Sequence, residues 1–91
     1  MEFDWSLVPA LSAQNRQQIE ECFEDPFNLK LMPEEPLAKD HHRFFCLGKD
    51  TAQNGWFIVY TTNGKQLRIL TTRRLRESEN HYYERKLREV L

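Results

Sequence analysis

The alternation of apolar and polar positions predicts the first elements of the chain. Residues 2–5 alternate as a short strand does, and residues 27–31 alternate again. Between them, Ser12 is a suitable N-cap for a helix over about 13–24. Asp25-Pro26 ends that helix, because the residue before a proline is disfavoured in helical geometry.

The middle of the chain predicts a three-stranded antiparallel meander. Segments 43–48, 56–62 and 66–72 are rich in aromatic and β-branched residues, as strands are. Asn54-Gly55 and Asn63-Gly64 lie between them, and this dipeptide is typical of two-residue hairpin turns with positive φ at both centres. On the third strand, Leu67 and Ile69 share one predicted face, and the other face carries Gln66, Arg68 and Leu70.

The last part of the chain, about 75–91, predicts a helix that packs on this sheet. Its apolar residues recur at helical spacing, at Tyr83, Leu87, Val90 and Leu91. The predicted fold class is therefore α+β, in one domain over residues 1–91. We expect a small antiparallel sheet, made of the meander and the N-terminal strand, packed with helices.

Composition narrows the class of protein. The 91 residues are 40% hydrophobic and 12% aromatic, which is typical of an ordered globular domain. The longest apolar run, residues 56–60, is far shorter than the roughly 20 residues of a membrane span. The first residues show no secretory signal, so we expect a cytoplasmic protein without membrane association. We interpret Cys22 and Cys46 as reduced core residues.

The net charge of −1 conceals an asymmetry along the chain. Residues 1–42 carry nine acidic and three basic side chains, whereas residues 65–91 carry eight basic and four acidic ones. A basic face of this kind can hold an anion although the whole chain is nearly neutral. Two ordinary solvated surfaces would give the same pattern, so both interpretations stay open.

Four arginines lie close together at the end of the third strand and in the turn after it. Guanidinium groups bind phosphate through paired N–H donors, so this cluster predicts contact with a phosphate group. Cations of this kind also stabilise the charge that develops on a phosphate when it reacts. A solvated basic turn is the alternative. The four residues are Arg68, Arg73, Arg74 and Arg76.

A histidine pair and an exposed tyrosine extend the candidate site. His41 and His42 precede Arg43, and an imidazole suits proton transfer at neutral pH, so His42 is the candidate acid or base. Arg43 is a further candidate phosphate contact, and Tyr82 could stack on an aromatic ligand such as a base. No Cys or acidic residue stands at ligand spacing from the histidines, so we expect no metal.

The order of several landmarks resembles a known family. Phe3-x-Trp5, Phe23-x-Asp25-Pro26 and Arg43-Phe44 ahead of Gly48 form the first half of the pattern. Val59-x-Thr61, Asn63-Gly64, Arg68-Ile69-Leu70 and Arg73 form the second, followed by Glu79 and Tyr83. Over about residues 3–83 the chain resembles the BrnT-like toxins of bacterial type II toxin–antitoxin modules.

This resemblance implies a RelE-like fold and a specific activity. It implies a ribonuclease that blocks translation by cutting RNA, with no metal or organic cofactor. It further implies a cognate antitoxin of the ribbon-helix-helix type, encoded beside the toxin. Arg68 and Arg73 fall on the landmarks, so they are the arginines assigned with His42 to catalysis. The candidate RNA contacts are then Arg43, Arg74, Arg76 and Tyr82.

One segment departs from the family pattern and keeps a second interpretation open. BrnT-like sequences carry a Lys-His-Gly segment before the helix that ends at Asp25-Pro26, and nothing here matches it. If that segment contributes to cleavage, the chain is instead a non-catalytic interaction module on the same scaffold. In that case its basic surface docks an acidic partner. A sequence-specific DNA binder is less favoured, because the arginines follow a strand and do not line a helix.

Overall fold

The computed structural model describes residues 2–32 and 43–91. They form five strands and two helices, which confirms the predicted α+β class. In chain order the elements are β1 (Glu2–Asp4), α1 (Ala13–Glu24), β2 (Leu29–Leu31), β3 (Phe44–Lys49), β4 (Gly55–Thr62), β5 (Gln66–Arg74) and α2 (Glu77–Val90).

All five strands belong to one sheet with the order β1-β5-β4-β3-β2. The predicted meander is confirmed, since β4 pairs antiparallel with both β3 and β5, and β2 joins it antiparallel to β3. The expectation of a wholly antiparallel sheet is wrong, because β1 pairs in parallel with β5 and places Asp4 opposite Arg68. A connection through α1 separates β1 from the meander, so no turn geometry in the sequence fixes its direction.

The two hairpins differ from the predicted two-residue turns. Asn54-Gly55 is not the centre of the first turn, because Gly55 already pairs with Lys49 in the ladder. The positive φ of that connection, 67°, falls on Gln53. The second connection spans the three residues 63–65, with Gly64 at a φ of 89°. Side-chain hydrogen bonds, which the dipeptide signal does not report, set both lengths.

One face of the sheet packs against α1 and forms the core. The Ser12 side chain accepts a hydrogen bond from the Asn15 N–H at 3.1 Å, so the predicted N-cap is confirmed. Gly48 lets α1 approach closely, since a Cβ there would lie 2.8 Å from the Cys22 carbonyl oxygen. The residues buried on this face are Ile19, Cys22, Cys46, Trp56, Ile58, Tyr60, Leu67 and Ile69. Both cysteines are free and fully buried, as predicted.

The opposite face of the sheet receives α2. Lys49 on this face forms an ion pair with Glu84 of α2, with 2.6 Å between Nζ and Oε1. Leu47 and Tyr83 are buried but stand outside the α1 cluster. The predicted apolar stripe of α2 is only partly right, because Val90 and Leu91 are 69% and 83% exposed. Val90 instead lines an open surface groove with Pro26, Phe27 and Leu29.

Asp25 joins the end of α1 to both β3 and α2. Its Oδ2 accepts a hydrogen bond from the Lys49 N–H at 2.9 Å and another from the Tyr83 hydroxyl at 2.6 Å. Burial and the neighbouring Asp25 carboxylate raise the pKa of Tyr83, so its hydroxyl stays protonated and remains a donor. This junction fixes where α2 crosses the sheet.

Asp50 is the buried carboxylate that shapes the first hairpin. It is 2% exposed and accepts hydrogen bonds from the Ala52 and Asn54 N–H groups and from the Trp56 indole. Burial alone would raise its pKa, but these donors outweigh burial and lower it. Asp50 therefore replaces glycine as the residue that determines the turn.

Replacing Asp50 with alanine tests this assignment. Asp50→Ala leaves the buried Trp56 indole without its acceptor and opens the turn. We expect the free energy of unfolding to fall by about 2–3 kcal/mol, measured by urea denaturation. The exposed Glu24→Ala is the control and should change stability by less than about 0.5 kcal/mol. Equal stability losses in the two variants would contradict the role of Asp50.

Candidate functional site

A β-bulge brings the two predicted catalytic arginines to the same face of the sheet. Five positions separate Arg68 from Arg73, so a regular strand would point them to opposite faces. The register shifts because Tyr60 pairs with Ile69 whereas Val59 pairs with Thr71, which leaves Leu70 as the extra residue. The predicted shared face of Gln66, Arg68 and Leu70 is therefore interrupted at Leu70.

We name this side of the sheet the arginine face. It lies opposite the core face, and cross-strand pairing assigns its members, since paired residues point to the same side. The ring centroids of Phe45 and Phe57 lie 5.5 Å apart in a stacked arrangement, and both side chains are half-buried. The residues that define the arginine face are Asp4, Phe45, Phe57, Val59, Thr61, Arg68, Thr71 and Arg73.

Arg68 lies on this face, and only the Nε atom of its guanidinium hydrogen-bonds to another described residue. Its Nε donates to Asp4 Oδ2 at 2.9 Å, and its side chain is 56% exposed. Within residues 2–32 and 43–91, neither Nη atom has a hydrogen-bond partner. Hydrogen bonds from Ser6, followed by those from Arg68, lower the pKa of Asp4 to about 2, so the carboxylate is ionised at neutral pH. The two Nη groups thus stay available to a ligand.

In contrast, both Nη atoms of Arg73 form hydrogen bonds within the protein. Its Nη1 and Nη2 donate to Glu79 Oε1 and Oε2 at 2.7 Å each, and its guanidinium lies 4.2 Å above the Phe57 ring. This bidentate contact, offset in part by burial, lowers the pKa of Glu79 to about 2 and raises that of Arg73. Glu79 Oε1 also accepts the Arg76 N–H at 2.7 Å, which closes the first turn of α2. Arg73 therefore fastens α2 to β5.

The structure separates the other predicted arginines from this pair. Arg74 points to the core side, where its guanidinium lies 4.3 Å from the Trp56 ring centroid. Arg76 is exposed directly before α2. Arg43 is exposed directly before β3, at the end of the sheet where Arg68 lies. The four clustered arginines of the sequence are thus spread over two faces and do not form one phosphate cradle.

The remaining predicted residues lie away from the sheet face or outside the described chain. Tyr82 is half-buried on α2, and the cations of Arg85 and Lys86 each lie 5.6 Å from its ring. His42 lies outside residues 2–32 and 43–91, so its assignment stays a prediction.

Sequence reasoning missed the carboxylates that hold the two arginines. Nothing in the spacing of Asp4 and Arg68 signals contact, because it depends on the parallel pairing of β1 with β5. The sequence carried only a weak signal for Glu79, because acidic residues are favoured in the first turn of a helix whether or not they contact an arginine. A polar pocket at the β4–β5 hairpin was also not expected.

Comparisons with known proteins add no family to these observations. No family model matches the chain, and a search of curated proteins found no match.

In the part of the chain that the structure describes, no three His, Cys, Asp or Glu side chains converge to hold a metal ion. Neither of the two described helices is long and apolar enough to cross a membrane.

The pairing of Arg73 with Glu79 predicts a pH-dependent contribution to stability. The folded pKa of Glu79, about 2, lies below its ordinary 4.5, so the stabilisation is complete above pH 4.5 and is lost as the pH falls towards 2. Glu79→Gln should lower the free energy of unfolding by about 1–2 kcal/mol at pH 7 and by much less near pH 2. Urea denaturation across this range measures the difference.

Glu77→Gln, on the exposed side of the same helical turn, is the matched control. It should follow the wild-type stability curve at every pH. A Glu79→Gln curve that runs parallel to the wild type over the whole range would contradict the ionic role of this pair.

Proposed function

We propose that the chain is a BrnT-like endoribonuclease with a RelE-like fold, the cytoplasmic toxin of a type II toxin–antitoxin module. In this proposal it cuts RNA without a metal or cofactor and is neutralised by a ribbon-helix-helix antitoxin. The observation that carries the proposal is the β-bulge at Leu70. It turns Arg68 and Arg73, which belong to the family pattern, towards one side of the sheet.

The arginine face has the parts that a single RNA strand needs. The half-buried Phe45, stacked on Phe57, offers aromatic surface to a base, and such stacking contributes about 1–3 kcal/mol per base. The exposed Nη atoms of Arg68 offer paired donors to a phosphate or a base. Arg68 pairs with Thr61 and Arg73 pairs with Phe57, four residues apart on β4, so the two arginines are separated by about 13 Å along the sheet and do not share one phosphate.

The described residues suggest a division of roles in cleavage. Arg68 contacts the RNA, whereas Arg73 positions α2 beside the face. With its low pKa, Asp4 is a weak base and acts by orienting Arg68. The acid or base is therefore a different group, and His42 stays our candidate because an imidazole suits proton transfer at neutral pH.

A non-catalytic interaction module is the second candidate. The observation that favours it is that carboxylates already contact both arginines, Asp4 on Arg68 and Glu79 on Arg73. These contacts reduce the charge available to a transition state. On that alternative, the same face docks a partner protein and cuts no RNA.

Induced expression in a bacterial host separates the two candidates. The ribonuclease proposal predicts growth arrest with RNA fragmentation. Arg68→Ala should reduce the cleavage rate about 10- to 100-fold, because one bidentate contact to the RNA contributes about 1–3 kcal/mol. Purified protein with a defined RNA measures that rate.

Arg88→Ala, which removes an exposed arginine from α2, is the matched control and should cut RNA like the wild type. Arg68→Ala must also unfold at a similar urea concentration to the wild type. Normal growth and intact RNA in the presence of well-folded protein would overturn the ribonuclease proposal and favour the interaction module.

A further inference from the structure

A small polar pocket opens on the arginine face at the β4–β5 hairpin. Its volume is about 220 Å³, below the roughly 300–1,000 Å³ of pockets that hold a whole drug-sized ligand. A pocket of this size suits a single planar group. No carboxylate lines it, and the lining residues are Thr61, Thr62, Asn63, Gln66 and Arg68.

Some of the polar groups that line the pocket already form hydrogen bonds within the hairpin. The Thr62 hydroxyl donates to the Gln66 carbonyl oxygen at 2.8 Å and accepts from the Gly64 N–H at 3.0 Å. Asn63 Oδ1 accepts from the Lys65 and Gln66 N–H groups at 2.9 Å. These bonds make the walls of the pocket rigid and leave the Asn63 amide N–H₂ free to donate.

Donors predominate among the groups that remain. Within the described ranges, the Nη atoms of Arg68 and the side chains of Thr61 and Gln66 make no hydrogen bonds of their own. Asp4 accepts a hydrogen bond from Nε of Arg68 and from neither Nη atom, so the two Nη groups can donate side by side to a ligand. The carboxylate also cancels the local charge of Arg68. The two Nη groups of Arg68 are therefore a pair of donors in a region of little net charge. Such a pair selects a ligand by its hydrogen-bond geometry more than by its negative charge.

We infer that this pocket binds a base of single-stranded RNA and selects guanine. Guanine presents two adjacent acceptors, O6 and N7, and paired arginine donors match them. Adenine presents an amino donor beside N7, which would face the donors of Arg68. Gln66 and Asn63 lie beside Arg68 to contact the remaining edge of the base. The inference rests on the proposed RNA-binding function and adds a base preference to it.

Titration of the full chain with the four nucleoside 5′-monophosphates, followed by NMR, tests the pocket separately from RNA cleavage. GMP should bind about 10-fold more tightly than AMP, CMP or UMP, in keeping with one bidentate base contact. The resonances of Thr61, Gln66 and the Arg68 side chain should shift. Arg68→Lys keeps the charge but loses the paired donors, so it should abolish the preference for GMP.

Arg88→Lys is the matched control and should keep the preference. Gln66→Ala should weaken GMP binding without changing the fold, because only the backbone N–H and carbonyl of Gln66 take part in the hairpin. Equal binding of all four nucleotides, or no shift at millimolar GMP, would overturn the inference whether or not the chain cuts RNA. Selective GMP binding by a chain that leaves RNA intact would support the pocket and overturn only the ribonuclease proposal.

Discussion

The candidate site depends on one irregularity in the sheet, the extra residue Leu70 in β5. Before the bulge, the strand points Arg68 to the arginine face, and after it the same face receives Thr71 and Arg73. Without the bulge, Arg73 would point to the core side and could not meet Glu79 at the start of α2. The bulge therefore determines both the composition of the surface and the place where α2 begins.

The ion pairs on this face have unequal consequences for chemistry. Glu79 takes both Nη atoms of Arg73, so that arginine stabilises the fold and is withdrawn from ligands. Asp4 takes only Nε of Arg68 and leaves its outer donors exposed. Two arginines that look equivalent in the sequence thus have different roles. The difference arises from the geometry of their carboxylate partners.

Much of the fold was predictable because it rests on local signals. Ser12 and Asp25-Pro26 bound α1 as expected, and the aromatic and β-branched content of three segments located the meander. The parallel direction of β1 and the bulge depend on pairing between distant segments, which no local pattern encodes.

The same limit applies to the site. The sequence pointed to Arg68 and Arg73 through their place in a family pattern, but it grouped them with Arg74 and Arg76 as one cluster. The face of the sheet to which each arginine points depends on the bulge at Leu70, which the sequence pattern does not reveal. The partners Asp4 and Glu79 follow from tertiary contacts, so their effects on the two guanidinium groups could be seen only in the fold.

The most direct test of the account is to map where single-stranded RNA touches the protein. Amide and side-chain resonances of the isotope-labelled chain would be followed by NMR during titration with a short RNA of mixed sequence that resists cleavage. The account predicts shifts at Phe45, Thr61, Arg68 and Thr71, on neighbouring strands of the arginine face, and none at Gln17 on the exposed side of α1. Shifts confined to α1, or none at all, would contradict the assignment of this face to RNA.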